Sequence, residues 1–446
     1  MNYLHLARYL ASRRQVAASA FLCILLTACG GDSENGVASA NGGDSPSAPT
    51  SAAESSHTIG GTVSGLTGAG LVLQDNAGDD LAVSAGGSFT FGTRIASGSG
   101  YAVTVKSQPS KPRQFCTVTN GSGTASASVN NVAVTCVAQK LGYVANNNDG
   151  TVWIYAIKAD GTLTKKSSVN TPNPGLSYLT LGPDGKSLYA LTASWAYPYT
   201  IATDGSLTAN GSRVSGGSGM AIEPGGKFAY VPFSTFLSMY SIDANGTLTS
   251  NGSLPLSSTS HWIAVAPNGK FAYISNYGDG TVQPYVINAD GTLTANGSPI
   301  ATGAFPQPVT VDPSGKFVYV VNGNGANQVS MFTINTDGTL AANGAISSGL
   351  SWPGAVVVSP DSKFAYIPSG TTTLLYAINP DGTLTANGTA ASEHGPVTFD
   401  SSGKLAYVTD SGSDSVWSYT VNADHTFTRT GSVSTGPGPV AFVIAE

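Results

Sequence analysis

The chain has 446 residues, only 10 % of them charged, with 55 glycines and a formal net charge of −6. That length exceeds one ordinary core and allows two folded domains plus a tether. Basic residues are scattered singly, which argues against a nucleic-acid surface, and no long amphipathic helical period follows residue 30, which leaves short strands and tight turns.

The chain begins with an address. Arg8, Arg13 and Arg14 flank an apolar run over 16–26, too short for a permanent bilayer helix, which takes about 20 apolar residues. Leu26-Thr27-Ala28-Cys29 resembles a lipobox. Residues 1–28 are therefore expected to be a lipoprotein signal peptide, and Cys29 the lipidated new N-terminus. The alternative is an ordinary cleaved signal with an incidental Cys29. Ser12-Arg13-Arg14 is faintly similar to a twin-arginine signal, but the apolar stretch 21–26 favours the general secretory route. Gly30 and Gly31 follow the cysteine; the lipobox resemblance implies that, without an aspartate directly after it, the destination is the outer membrane. Residues 29–57 are rich in Gly, Ser, Ala, Asn and Pro and read as a disordered, lipid-anchored tether.

Residues 58–138 alternate apolar and polar positions at 58–63, 71–74, 81–83, 88–91, 101–106, 115–119 and 132–136, separated by Gly- and Asn-rich turns. Seven short strands in that span predict a small β-sandwich, similar to the Ig-like or carboxypeptidase-regulatory-like spacers of bacterial surface proteins. Cys116 and Cys136 are the even pair left once Cys23 and Cys29 are set aside, and export predicts a disulfide between them. It would tie the last two strands together or bridge the sheets. The alternative is two buried thiols.

Residues 139–446 repeat. A tyrosine opening a strand recurs at 143, 189, 230, 273, 319, 366 and 407, with spacings of 41 to 47 residues, the period of a four-stranded propeller blade. Each repeat then carries an aromatic two residues before a β-branched one: Tyr155/Ile157, Tyr199/Ile201, Tyr240/Ile242, Tyr285/Ile287, Phe332/Ile334, Tyr376/Ile378 and Tyr419/Val421. The period of two puts both on one strand face, assigned to packing between blades. A turn follows as Asp160-Gly161-Thr162-Leu163, with counterparts at Asp204, Asn245, Asp290, Asp337, Asp381 and a decayed Asp424-His425. Asp-Gly supplies the positive φ of a tight hairpin. Seven calcium loops are the alternative, but one acidic side chain per turn falls short of calcium's six or more oxygens. A second turn, Pro183-Asp184-Gly185-Lys186 and its relatives up to Lys404, joins the innermost strand to the next. With strands named A to D from the channel outwards, the chain opens at a B strand near Leu141 and ends on an A strand, Pro439–Ala445. That last strand is expected to pair beside Tyr143 and close the ring. The fold class is thus all-β: a seven-bladed β-propeller preceded by a small Ig-like sandwich.

The tyrosine-strand, Asp-Gly-Thr-Leu and Pro-Asp-Gly-Lys pattern over 140–446 resembles the propeller lactonase family, which includes 6-phosphogluconolactonases and muconate-cycloisomerase-like enzymes. Tyr143-Val144-Ala145-Asn146 is similar to the YVTN repeats of surface-layer propellers. The resemblance implies a Pro-His-x-His-like segment before an A strand. Here the matching stretch reads Ser258-Thr259-Ser260-His261-Trp262, so only His261 corresponds, to the second histidine. It also implies arginine and glutamate on other blades, yet the propeller has only Arg213 and Arg429. A phosphosugar would need a cationic cradle, and the repeated lysines sit on A–B turns, away from the usual ligand face.

D–A and B–C connections share one propeller face around the channel mouth. The D–A connections carry Ser177, His261, Trp262, Gln307, Trp352, Glu393 and His394, and B strands end at Asn146, Asn276, Asn322 and Asp410. Aromatics with amides suit a sugar or polar peptide, and His261 with Glu393 or Asp410 has the chemistry for general acid–base work. The competing reading of each is a satisfied rim hydrogen bond. Zinc on His261 and His394 is disfavoured because they lie on distant blades without a third ligand, and no cofactor fingerprint is present. Two readings follow: a non-enzymatic envelope lipoprotein that binds a partner, peptide or glycan or acts as a scaffold, and a lactonase-like hydrolase acting on an uncharged lactone.

Overall fold

The computed structural model describes residues 55–110, 112–323, 327–347, 353–393 and 395–446. The expected signal peptide, Cys29, most of the tether, Trp352 and His394 lie outside the described residues.

Residues 56–138 build two four-stranded sheets around one core. One sheet runs Gly87–Thr90, Ile59–Ser64, Val129–Ala138 and Gln114–Thr119; the other runs Asp79–Val83, Leu71–Asp75, Gly100–Ser107 and Ser122–Thr124. Alternation does the work. Ile59, Val63, Leu71, Leu73, Val103, Val132 and Val134 point inward from both sheets and are buried together, as half-buried strands require. Val129–Ala138 pairs in parallel with Ile59–Ser64, so the unit is not purely antiparallel. Cys116 and Cys136 sit directly opposite on neighbouring strands and are disulfide-bonded, tying strands within one sheet.

The described residues from 139 on form a ring of seven four-stranded units. The first unit orders Leu163–Asn170, Thr151–Ile157, Lys140–Asn146 and Pro439–Ala445. The last strand of the chain therefore supplies the A strand of blade 1, with Leu141 opposite Ala445 and Asn146 opposite Pro439. Blades 3 and 4 are joined differently from the others. The run Phe228–Ile242 carries both B and C of blade 3, and Leu248–Val265 passes from D of blade 3 into A of blade 4 without a break.

Seven apolar cores lie between blades, and each holds the B-strand tyrosine of one blade with the C-strand aromatic of the next. They pair Tyr143 with Tyr199, Tyr189 with Tyr240, Tyr230 with Tyr285, Tyr273 with Phe332, Tyr319 with Tyr376, Tyr366 with Tyr419 and Tyr407 with Tyr155. All seven B-strand tyrosines are fully buried, so each phenol needs an internal acceptor. Each finds it in the C–D turn of the next blade. Tyr143, Tyr189, Tyr230, Tyr273, Tyr319, Tyr366 and Tyr407 donate to the carbonyls of Gly205, Gly246, Gly291, Gly338, Gly382, His425 and Gly161, at 2.8 to 3.1 Å. The turn glycines hold positive φ, and His425 takes the same conformation at φ 64°. Where the turn carries Asp, its Oδ1 accepts the N–H and hydroxyl two residues on, as Asp290 does from Thr292. Those bonds hold the Asp290 carboxyl below its ordinary range.

The small β unit is fastened to the face made of A–B and C–D turns. Arg113 is buried, and its guanidinium donates to the carbonyls of Gly185 at 2.9 Å and Ala202 at 3.1 Å, both on blade 2. The D–A and B–C connections lie on the opposite face.

Candidate functional site

That opposite face carries an aromatic rim on blades 3 to 5. At blade 3 the corner is Phe233-Ser234-Thr235-Phe236. Ser234 takes φ 55°, and the two phenylalanine rings stand 5.6 Å apart and more than a third exposed. Ser234 pairs with Ser260, which also pairs with Asn276, so the blade 3 corner and the strand crossing into blade 4 meet at one residue. The Ser260 hydroxyl donates to Asn276 Oδ1 at 3.1 Å, and the Tyr277 N–H donates to the Thr259 carbonyl at 2.8 Å.

These contacts position His261. Its ring lies 6.1 Å from Tyr277, edge to face, and Tyr277 lies 5.1 Å from Phe305. Phe305 is 40 % exposed and sits at φ 54°. A bulky residue in the left-handed region costs about 1–3 kcal/mol and persists only where its surroundings over-determine it. Here Pro306 disfavours the right-handed helical region, and the Phe305 carbonyl accepts the Gly323 N–H at 3.0 Å. Tyr277, Asp279, Thr302 and Phe305 edge a depression of about 330 Å³. Asp279 is steadied by the Ser257 hydroxyl at 3.0 Å.

The expected amides flank the rim but are engaged within their own blades. Asn276 donates to Thr281 at 3.0 Å; Asn322 donates to Ser330 at 2.9 Å and accepts from Gly303 at 3.0 Å; Asn146 donates to Thr151 at 2.9 Å. They staple B–C corners. Asn146 Oδ1 is buried without a partner. Gln307 offers its backbone carbonyl to the Ser275 hydroxyl at 2.7 Å, and its carboxamide lies against Gly323. Ser177 donates to the Leu191 carbonyl at 3.3 Å. Trp262 stands 6.0 Å edge-to-face from Tyr178, against Gly219, and packs on the core that holds Tyr273 and Phe332. Burial raises the Tyr178 phenol above its ordinary value.

Glu393 and Asp410 are not gathered around His261. Glu393 stands where blade 6 passes into blade 7; it accepts from the Tyr419 hydroxyl and pairs with Arg429. The Arg429 guanidinium caps the Trp417 ring at 3.8 Å. Burial, then the Glu393 carboxylate beside it, pushes the Tyr419 phenol up. Asp410 caps its own B–C corner on blade 7, accepting from the Gly412 N–H at 2.9 Å and the Ser413 hydroxyl at 2.6 Å. His261 is on blade 4, three blades away in the ring. Each of the three thus has its own partners. Among the described residues no group of three or more His, Cys, Asp or Glu side chains is placed to hold a metal.

Phe233, Phe236, Tyr277 and Phe305 were not flagged by the sequence pattern. Their signal was available: aromatics in connections where other blades carry Asn, Gly, Ser or Asp, such as Asn147-Asn148-Asp149-Gly150 and Ser411-Gly412-Ser413-Asp414.

The model of the family described as Lactonase, 7-bladed beta-propeller matches residues 81–349. No curated protein matches the chain. Among solved structures, a candidate 6-phosphogluconolactonase from Bacteroides uniformis aligns at 19 % identity and TM-score 0.60, covering 69 % of this chain and 99 % of its own. A protein from Lactobacillus plantarum aligns at 17 % identity and TM-score 0.61, and the periplasmic gluconolactonase of Pseudomonas aeruginosa at 18 % and 0.59, each with the same coverages of 69 % and 99 %. At such identities the likeness is one of fold, and the covered share is about that of the propeller alone. Seven blades, seven interblade cores and the family match agree: this chain belongs to the seven-bladed β-propeller lactonase family.

Proposed function

We propose that the chain is an exported cell-envelope lipoprotein whose propeller holds a glycan on the aromatic rim of blades 3 to 5. Residues 1–28 are the signal, Cys29 carries the lipid at the outer membrane, and residues 29–57 are the tether. The observation that carries the reading is the row His261, Tyr277 and Phe305, with rings 6.1 and 5.1 Å apart and Phe305 exposed at a strained backbone position. Aromatic faces receive the C–H faces of sugar rings, and nearby polar groups such as Asp279 and Thr302 supply hydroxyl partners. The small β unit is fastened by Arg113 to the other face, which leaves the rim uncovered by it. The test is a glycan array probed with the full-length chain. Binding should weaken about tenfold or more in Tyr277→Ala and Phe305→Ala, a loss of about 1.4 kcal/mol. An array without a hit, or hits indifferent to both substitutions, would sink the proposal.

A second reading is favoured by the family match and by the fold shared with a periplasmic gluconolactonase. In it the propeller hydrolyses an uncharged lactone, with His261 polarising or deprotonating water. Glu393 and Asp410 would have to leave their present partners to assist. Turnover of a neutral aldonolactone that disappears in His261→Ala would establish this reading over the first.

A further inference from the structure

In each blade the residue two before the buried tyrosine packs under the C–D turn of the next blade. A Cβ built on Gly205, Gly291, Gly338, Gly382 or Gly161 would stand 2.2 to 2.7 Å from Leu141, Phe228, Phe271, Phe317 or Leu405 respectively. In the junction of blades 6 and 7 the same position is Phe364, stacked on His425 at 3.9 Å. Six junctions are therefore filled by a large apolar side chain. The seventh, between blades 2 and 3, has Ser187 under Gly246, and a cavity of about 320 Å³ opens at that place.

We propose that this cavity is a second ligand site, on the face opposite the aromatic rim, and that it takes a single neutral pyranose ring. Its volume is at the lower end for small-molecule sites, enough for one ring. Its walls are two-sided. Pro183, Pro224 and Ile242 offer apolar surface for a C–H face, while Ser187, Asp184, Asp243 and Lys227 surround it with hydroxyl, carboxylate and ammonium groups. Asp184 Oδ1 accepts the Lys186 N–H at 2.9 Å, and Asp243 Oδ1 accepts those of Asn245 and Thr247 at 2.9 and 2.8 Å. Each carboxylate keeps its second oxygen as an acceptor for sugar hydroxyls, and Lys227 is a donor. An aromatic side chain from a partner would fill the space as phenylalanine does elsewhere, but would desolvate these charges without pairing them. An anion would face two carboxylates against one ammonium.

The experiment is saturation-transfer NMR on the full chain carrying Tyr277→Ala and Phe305→Ala, which silences the rim, with a panel of hexose and N-acetylhexosamine methyl glycosides. At least one glycoside should show transfer to its ring protons. Ser187→Phe, which restores the filling found in the other blades, should keep or raise the melting temperature and weaken binding by about tenfold or more. Lys227→Ala removes a donor without touching the packing, should weaken binding severalfold, and decides the matter if Ser187→Phe fails to fold. The proposal fails if no glycoside shows transfer, if binding survives these substitutions, or if N-acetylphenylalaninamide binds and no glycoside does. None of these outcomes depends on whether the rim binds a glycan.

Discussion

At the scale of single residues, the repeated tyrosine is the clearest case of a side chain whose polar tip, not its bulk, defines its role. A phenylalanine would fill the same interblade core. The hydroxyl is what joins each blade to the turn of the next, as Tyr319 does to the Gly382 carbonyl at 3.0 Å. Removing it leaves a buried carbonyl without its donor, which costs more than the net worth of the bond. Tyr319→Phe is therefore expected to destabilise the propeller by about 1–2 kcal/mol in urea unfolding, whereas Tyr101→Phe, on the small β unit, should change little. The pH dependence follows from the same burial. It raises these phenols, Tyr189 to about 12, above the unfolded value of about 10. The neutral form is thus favoured by folding. Stability from these groups is complete below about pH 10 and falls as pH rises through 12. A chain whose stability stayed flat from pH 10 to 12 would contradict this account.

At the scale of elements, legibility divides along the line between periodic and irregular backbone. Tyr143 and its six counterparts, the Tyr-x-Ile faces and the Asp-Gly turns recur because every blade meets the same packing and turn problem, so one chain displays them seven times. The rim had no such advantage. Tyr277 and Phe305 stand in connections of unlike sequence, and what brings them within 5.1 Å is a long-range juxtaposition. The unbroken run Leu248–Val265 was equally hidden, since residues 256–260 carry no Gly or Pro to mark where one blade ends. His261, Glu393 and Asp410 share residue chemistry, but their partners differ: one is set by aromatic neighbours, one by Tyr419 and Arg429, one by its own turn. Arg113 belongs to this scale too, because its side chain joins the small β unit to blade 2. Its guanidinium satisfies carbonyls of two different turns, and lysine cannot reproduce that fork. Arg113→Ala and, to a lesser degree, Arg113→Lys should raise amide exchange around Gly185 and Ala202 and loosen the small unit towards limited proteolysis, while Cys116–Cys136 stays oxidised. Unchanged exchange in both variants would remove Arg113 from this role.

At the scale of the whole molecule, everything on either face depends on the ring being closed, and closure rests on one terminal strand. Pro439–Ala445 pairs with Lys140–Asn146 along its length, and Phe442 and Ala441 complete the cores on the two sides of blade 1. The junction is reinforced electrostatically. Lys140 reaches Asp400 at 2.7 Å and Glu446 at 2.9 Å, and Glu446 also accepts from the Ser401 hydroxyl. Asp400 is buried, and its carboxyl is held below the ordinary range despite that burial by Lys140, Ser402 and the Leu405 N–H. Ending the chain at Gly438 would remove the innermost strand of blade 1, expose the edge of Lys140–Asn146 and leave the Asp400–Lys140 pair without Glu446. An exposed strand edge recruits another strand. The truncated chain is therefore expected to melt well below the full chain, by several degrees or more, and to associate through the vacated position. Adding a synthetic peptide of residues 438–446 should reverse both effects, since it supplies the missing strand without covalent linkage. Lys140→Met is the milder probe: it keeps the ladder and breaks only the charge cluster, so it should lower stability while leaving the state of association unchanged. A truncated chain that melts within a degree or two of the full one would mean that the remaining interblade packing holds the ring, with the terminal strand merely covering an edge.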